Sequence, residues 1–413
     1  MQPSRIAIAG CGPAGLAAAL ALHRQGHRVA LFDRFAAPQP LGSGLMLQPS
    51  GMAVLNALGL ASEVAACAAP IERLYGLGAD GRRVLDARYD ELAGPRSLGL
   101  GIHRASLFDV LHRAVSVERI EITPDHEITG SHIGRGERWL VFAGGRLAGP
   151  FDLVIDALGL HTPLAPPCGR ALRFGALWTT LPWPADGPFR RNRLEQRYRA
   201  AREMVGVLPT GHRPGHGDEL ALFWSLPADG HQGWLARGLD AWREEVAALW
   251  PECAALAAHV TDPAQVTFAR YAHRSLPNPA HERLIHIGDA WHTASPQLGQ
   301  GANMALLDAW GVAEAMRLSR DPRAVPALTV QLRGAHVALY QAATAFFTPL
   351  YQSNAALPAL VRDRLFAPAS RLWPGKTIQA LLMSGLLGAP LARLGLERVD
   401  YDRLFSVASD HQH

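Results

Sequence analysis

Residues 5–33 read RIAIAGCGPAGLAAALALHRQGHRVALFD, and the order of residue types in this stretch decides the fold. Residues 5–9 are a short apolar strand, and Gly10, Gly12 and Gly15 follow at once. Residues 16–25 are an alanine- and leucine-rich helix stopped by Gly26, and residues 29–32 are a second strand. Gly10 permits the tight turn, Gly12 lets backbone N–H groups approach a pyrophosphate, and Gly15 lets helix and strand pack closely. Pro13 and Ala14 complete the loop, and the helix N-terminus turns partial positive charge toward an anion. Asp33, followed by Arg34, stands where an acid accepts ribose hydroxyls and disfavours a 2′-phosphate. The unit reads as an adenine dinucleotide site of the FAD or NAD type. A turn that needs glycine only for packing is the plainer alternative.

A second glycine-rich segment, GDAWHTASPQLGQGAN at 288–303, repeats the logic near the other end of the chain. Residues 283–287 form the strand before it, and residues 300–316 form a helix whose first turn holds Gly301, Ala302 and Asn303. Asp289 after the strand can accept hydrogen bonds from a sugar-alcohol chain, and N–H groups at the helix start near Gln300 can hold an anionic oxygen. Gly299 and Gly301 let backbone approach a flat ring, and Pro296 sets the shape of the loop. Together the two segments suggest FAD.

Composition narrows the function classes. At 413 residues, 48% apolar and 18% charged, the chain is long enough for two domains and has globular composition. A net charge of +4, spread diffusely, gives no argument for nucleic acid. Lys376 is the single lysine, which removes Schiff-base chemistry from the core. Cys11, Cys67, Cys168 and Cys253 form no ligand or disulfide spacing, so a reduced cytoplasmic protein without a metal is expected. The apolar stretch 6–22 is broken by glycines and proline and reads as the nucleotide unit, not a signal peptide; no apolar run is long enough to span a bilayer.

With these motifs in this order, the chain resembles the group A flavoprotein monooxygenases, the aromatic hydroxylases related to p-hydroxybenzoate hydroxylase and salicylate hydroxylase. The resemblance implies that GCGPAG binds the ADP portion of FAD and that GDAWHTASPQLGQGANMALLDA at 288–309 binds the ribityl and flavin portions. It implies that Arg104, in IHRASL, contacts FAD from the side, and that Gly42, Ser43, Gly44 and Leu45 with Pro49 and the later Leu58-Gly59-Leu60 form a turn region beneath the flavin. NADH or NADPH would serve as a transient co-substrate with no fold of its own. The implied reaction hydroxylates an aromatic or polyketide-like small molecule with O2 through a flavin hydroperoxide. One motif departs from the family: Leu158, in DLVIDALG at 152–159, stands where the family has aspartate. Two readings follow, compensation by Asp156 or His161, or weakened reduction by nicotinamide. The second keeps an FAD oxidase or reductase, or a flavin-binding protein that no longer turns over, as the alternative. A halogenase is disfavoured, since residues 177–182 read LWTTLP in place of its tryptophan motif and no core lysine exists.

The expected fold is α/β: a Rossmann-like FAD-binding domain with an inserted antiparallel-sheet substrate domain and a helical C-terminal region. Residues 1–80, 97–165 and 276–330 form the FAD-binding parts, 81–96 a strand joining the substrate domain, 166–275 that domain, and 331–413 the helical region. Strands are expected at 174–180, 194–198, 204–208 and 220–226, and a helix at 235–250 with Leu235, Leu239, Trp242, Val246 and Leu249 on one stripe. After Asp308 the chain reads as helical, with a turn at Pro374-Gly375. Candidates to activate the substrate are His212, His216 and His231 in turns, Tyr198 and Tyr271 by strands, and Gln48 after the turn near the flavin. For each histidine an exposed loop residue is the plainer reading. Arg191, Arg193, Arg197 and Arg199 either attract an anion or form a solvated sheet face. The apolar tail 346–396 packs on the flavin domain, meets a second subunit in a homodimer, or touches a membrane surface; a monomer is equally compatible.

Overall fold

The computed structural model describes residues 3–36, 43–319 and 321–410. Gly42, expected beneath the flavin, lies outside them. A six-stranded sheet runs in the order Ala280–His281, Leu284–His286, Leu153–Asp156, Arg5–Ala9, Arg28–Phe32, Glu121–Thr123, parallel except for the hairpin at its first edge. Ile6, Ala7, Ile8 and Ala9 are fully buried, as a central parallel strand covered on both faces requires. The helix Pro13–Arg24 buries every residue from Ala14 to Leu22 because Gly301–Leu318 and Arg104–Val117 pack against it. Its small side chains are what let three helices crowd one sheet.

The second sheet has seven strands: Thr267–His273, Arg170–Pro182, Asp218–Pro227, Glu203–His212, Arg193–Arg199, Arg73–Gly78 and Arg83–Arg88. Strand 83–88 joins it, and so does 73–78, which lies on the nucleotide side of the boundary drawn at residue 80. The pairing of 73–78 with 193–199 is parallel, so the sheet is mixed where an antiparallel one was expected. Both faces are buried. Val205, Val207, Leu222 and Trp224 point to a core with Trp234, Trp242 and Trp250, whereas Met204, Leu208, Ala221 and Phe223 point the other way. On 193–199, Leu194, Gln196 and Tyr198 face inward. The arginines face outward: Arg197 lies over the Trp250 ring at 4.3 Å, Arg199 pairs with Glu203, and Arg191, off the strand, pairs with Asp218. Arg191 and Arg199 are exposed, whereas Arg193 and Arg197 are half-buried.

The helix His231–Leu249 departs from the expected stripe. Gly238 has φ +79° and breaks the helix, which turns the first two turns so that Trp234 is buried and Leu235 is 40% exposed. The C-terminal region is helical but more often interrupted than one turn at Pro374-Gly375 implies. It contains Val325–Tyr351, Ala356–Val361, the π-helical turn Arg362–Phe366, Gly375–Met383 and Tyr401–Asp410. No helix among the described residues is long and apolar enough to cross a membrane.

A buried polar chain locks this region to the second glycine-rich motif. Asp308 accepts from Gly288 N at 2.9 Å, His292 Nε2 at 2.5 Å and Arg333 Nε at 2.9 Å, and Arg333 Nη1 meets His336 Nδ1 at 3.0 Å. Burial pushes the Asp308 carboxyl up, but the charges and hydrogen bonds of His292, Arg333 and Gly288 outweigh it and hold the group at about 2. Burial first, and then the Arg333 charge, lower His336 to about 3, against the bond to Gly385 O and the Asp308 charge. A histidine whose folded pKa is depressed contributes stability in full above its unfolded value near 6.5, and that stability falls as pH drops toward 3. Between pH 7.5 and 5 this group should therefore withdraw about 2 kcal/mol, at about 1.4 kcal/mol per unit. The urea midpoint of the native protein should fall across that range more steeply than that of His336→Gln; parallel lines would refute the assignment.

Candidate functional site

The two glycine motifs open on one cavity of about 1190 Å³, lined by Gly10, Gly12, Pro13 and Ala14 from the first and Pro296, Gly299, Gln300, Gly301 and Ala302 from the second. Gly10 sits at φ +101°, and a Cβ there would lie 2.6 Å from Ala157 O; a Cβ on Gly15 would overlap Gly10 O. Side chains at Gly12 and Gly301 would meet no protein atom, so the backbone at both helix starts is open to a ligand. Gly15 itself does not line the cavity. It sets the loop.

Asp33 accepts from Cys11 N at 2.7 Å and Phe35 N at 3.1 Å, so the acid also orders the loop it borders. Arg34 and Gly44 line the cavity, and Arg104 enters from the strand Gly99–His103 as the first residue of the helix Arg104–Val117. Asp289 lines the same cavity, within reach of the Arg104 charge. Its carboxyl accepts no hydrogen bond from the described residues, and enclosure raises its pKa against the pull of His292 and Arg104. Such a carboxylate suits ligand hydroxyls as partners.

Leu158 lines the cavity, and its backbone N donates to Asp156 Oδ1 at 3.0 Å. Asp156, fully buried, also accepts from Thr162 Oγ1 at 2.6 Å and pairs with His286 Nδ1 at 2.6 Å. Asp156 thus fastens the loop that carries Leu158. His161 lines the cavity without a hydrogen bond among the described residues.

Asn303 takes a different place from the one expected. It does not line the cavity: its Oδ1 accepts from Gln48 N at 2.7 Å and its Nδ2 donates to Met46 O and Gly299 O, both at 3.0 Å. It clasps the strand Gly44–Leu47 to the start of the helix Gly301–Leu318. Gln48, fully buried, accepts from Tyr89 OH at 2.5 Å through Oε1, while its Nε2 lies beside Gly299 with no partner among the described residues. An unpaired buried donor on the cavity wall costs stability unless a ligand accepts from it.

Beyond the second motif the cavity continues between the inner face of the seven-stranded sheet and the C-terminal helices. Tyr271 and Tyr198 both line it; Trp178 Nε1 donates to Tyr271 OH at 3.1 Å, and Tyr198 OH donates to Gln196 at 2.7 Å. Burial raises the pKa of both phenols. His212, His216 and His231 lie outside the cavity. His216 faces Glu219 at the surface, and His231 stacks on Trp234 and Phe268. Tyr89, Arg362, Gln352 and Gln379 were missed by sequence reasoning; Tyr89 contacts Gln48 and the other three line the cavity.

The residues present fit FAD: two open helix N-termini on one cavity, an acid without a partner, an arginine within reach of it and a buried free amide donor. A family model described as FAD binding domain matches residues 4–132 and 216–328. The chain is 29% identical over 315 residues to 6-methylpretetramide 4-monooxygenase of Streptomyces rimosus, covering 74% of this chain and 73% of the relative. It is 31% identical over 325 residues to 3-amino-4-hydroxybenzoate 2-monooxygenase of Streptomyces cremeus, covering 74% and 76%. In fold it is similar to the tetrameric form of 2-methyl-3-hydroxypyridine-5-carboxylic acid oxygenase, with TM-score 0.74 at 19% identity over 92% of this chain and 96% of that one. HpxO of Klebsiella pneumoniae, in complex with FAD and uric acid, matches with TM-score 0.75 at 18% identity over 92% and 97%. The chain belongs to the FAD-dependent aromatic monooxygenases of group A, with FAD as cofactor and NAD(P)H as co-substrate.

Proposed function

We propose that this flavoprotein monooxygenase holds its aromatic or polyketide substrate between the inner face of the seven-stranded sheet and the helices of 325–383, beside the second glycine motif. The observation that carries this reading is the continuity of the cavity from both helix N-termini to that apolar face. Bound FAD, reduced by NAD(P)H, supplies the oxygen activation. In this reading the protein's own groups bind, orient and exclude water. The loop from Gly10 to Gly15 with Asp33 holds the ADP portion, Asp289 the ribityl hydroxyls, and the N–H groups from Gln300 to Ala302 the anionic edge of the ring. The Nε2 of Gln48, fixed by Tyr89, donates to the ring or to the substrate. Tyr271, its oxygen already accepting from Trp178, keeps its own proton for the substrate, and its apolar surroundings keep it a donor at neutral pH.

Four free cysteines support a reducing, cytoplasmic setting. Phe346, Leu357, Leu360, Leu365, Leu372 and Trp373 are exposed and support a contact by the C-terminal region, with a second subunit or a lipid surface as its candidates.

Anaerobic stopped-flow reduction by NADH and NADPH tests the reading: a phenolic or polyketide ligand should accelerate flavin bleaching, and a flavin that neither nucleotide reduces under any ligand would defeat it. Arg104→Ala should lose FAD at least tenfold more readily while keeping its circular dichroism, and full retention of flavin would remove Arg104 from the site. Because Asp156 already fastens the loop, Leu158→Asp should change the reduction rate less than threefold; a rise above tenfold would make Leu158 a lesion. Gln48→Leu should keep FAD but lower the coupled rate by about a hundred- to a thousandfold, the range for a lost positioned donor, and an unaltered rate would restrict Gln48 to packing.

A further inference from the structure

The cavity is larger than the about 300–1,000 Å³ of a single small-molecule site, and its two ends differ in charge. Asp33, Arg34, Arg104 and Asp289 all belong to the end served by the glycine motifs. The other arm is walled by apolar side chains, with Leu194, Leu208 and Phe223 on the sheet and Phe347, Phe366 and Leu382 on the helices. Among the described residues that line this arm, Arg362 alone carries charge.

Arg362 is not open to a ligand. It is 1% exposed, its Nε donates to Asp363 at 2.7 Å, Nη1 to Leu350 O at 3.2 Å and Nη2 to Ala200 O at 3.0 Å. Its guanidinium also lies 5.0 Å from the Tyr198 ring centre and 5.3 Å from that of Tyr351. A carboxylate in this arm would be desolvated with no counter-charge, which is costly. The polar atoms that remain are neutral. Gln352 and Gln379 both line the arm, and each has a buried Oε1 that no donor among the described residues reaches; Gln352 Nε2 is turned to Ser225 Oγ at 3.4 Å. Tyr271 adds a hydroxyl. As oriented, the two carbonyl acceptors favour a ligand that brings N–H or O–H donors, and the arm offers no unengaged cation to offset a negative oxygen.

We infer that the substrate is a neutral, extended aromatic molecule, of fused rings or a ring with a long apolar substituent, carrying N–H or O–H donors. Gln352 and Gln379 select it against aromatic carboxylates. This rests on the substrate arm assigned under the proposed function.

Matched probes test it on the FAD-loaded enzyme. 1-Hydroxy-2-naphthamide and 1-hydroxy-2-naphthoate share one ring system and differ in charge, and the corresponding 1-hydroxyanthraquinone-2-carboxamide and 2-carboxylate add a ring. Dissociation constants are read from the perturbation of flavin absorbance at pH 7.5. Each amide should bind at least tenfold tighter than its carboxylate, the three-ring amide tighter than the two-ring one. Gln352→Leu with Gln379→Leu should weaken the amides about tenfold while leaving the carboxylates within threefold, and Gln→Glu at either position should weaken the carboxylates further. Carboxylates that bind as well as the amides, or amides that bind no better than the bare flavoenzyme blank, would overturn the inference. Loss of FAD loading or of NAD(P)H reduction, measured first in the same preparation, would instead sink the function on which it rests.

Discussion

Everything functional here depends on one buried amide holding two distant pieces of backbone in register. Asn303 uses Oδ1 for Gln48 N and Nδ2 for Met46 O and Gly299 O, joining the strand 44–47 to the helix start at 301. A Cβ on Gly51 would overlap that Oδ1, so the helix Pro49–Ala57 approaches only because residue 51 is glycine. Each bond of this kind is worth about 0.5–1.5 kcal/mol net, but an orphaned buried partner costs about 1–3 kcal/mol, so the clasp matters more by what its loss would expose. It places the free amide of Gln48, the backbone of Gly299 and the N-terminus of the helix 301–318 on one wall of one cavity. Behind that wall Asp308, His292, Arg333 and His336 hold Gly288 and the long helix 325–351 to the same helix. The cavity wall is thus braced on both sides by polar groups that take no part in lining it.

The fold was legible where local chemistry is sufficient to specify it. The turn at Gly10 and Gly15 needs its glycines for backbone reasons within a few residues, and the short, continuous apolar runs 204–208 and 220–226 state strands without help from elsewhere. Legibility ended where one residue overrode a period. Gly238 interrupts the apolar stripe of 235–249, and nothing in a hydrophobic count distinguishes a glycine tolerated in a helix from one at φ +79°. Arg73–Gly78 was unreadable as a sheet member for a different reason: its partner, 193–199, is more than a hundred residues away and pairs in parallel, with no hairpin to announce it.

The candidate site divides in the same way. The backbone cradles came from motifs, because glycine and proline report their own conformation. Side chains whose role comes from a distant partner carried no such signal. Tyr89 matters through Gln48, Asp156 through His286, and Arg362 through Tyr198, at separations that no window spans. The histidines misled for the converse reason: His212 and His216 have the right chemistry, yet they sit at the end of the strand 203–212 and in the turn after it, outside the cavity lining. Leu158 is the intermediate case. The missing carboxylate is visible in sequence, but that Asp156 receives the backbone N–H of Leu158 is a fact of the folded loop.

The division of charge along the cavity follows from the sheets that build it. A parallel sheet presents its loops and helix N-termini at one edge, so the nucleotide end gathers partial positive charge and the acids and arginines that complement it. The seven-stranded sheet offers a face rather than an edge, and a face buried on both sides must be apolar or internally paired. Arg362 obeys that rule by spending its donors on Asp363, Leu350 and Ala200 and its two planes on tyrosine rings, which tolerates a cation without offering it. The carbonyl oxygens of Gln352 and Gln379 do not obey it, since burial leaves them unpaired. On the substrate side of the cavity, these unsatisfied atoms mark where another molecule can supply the missing donors, and so bear on that molecule's polarity from the protein's side.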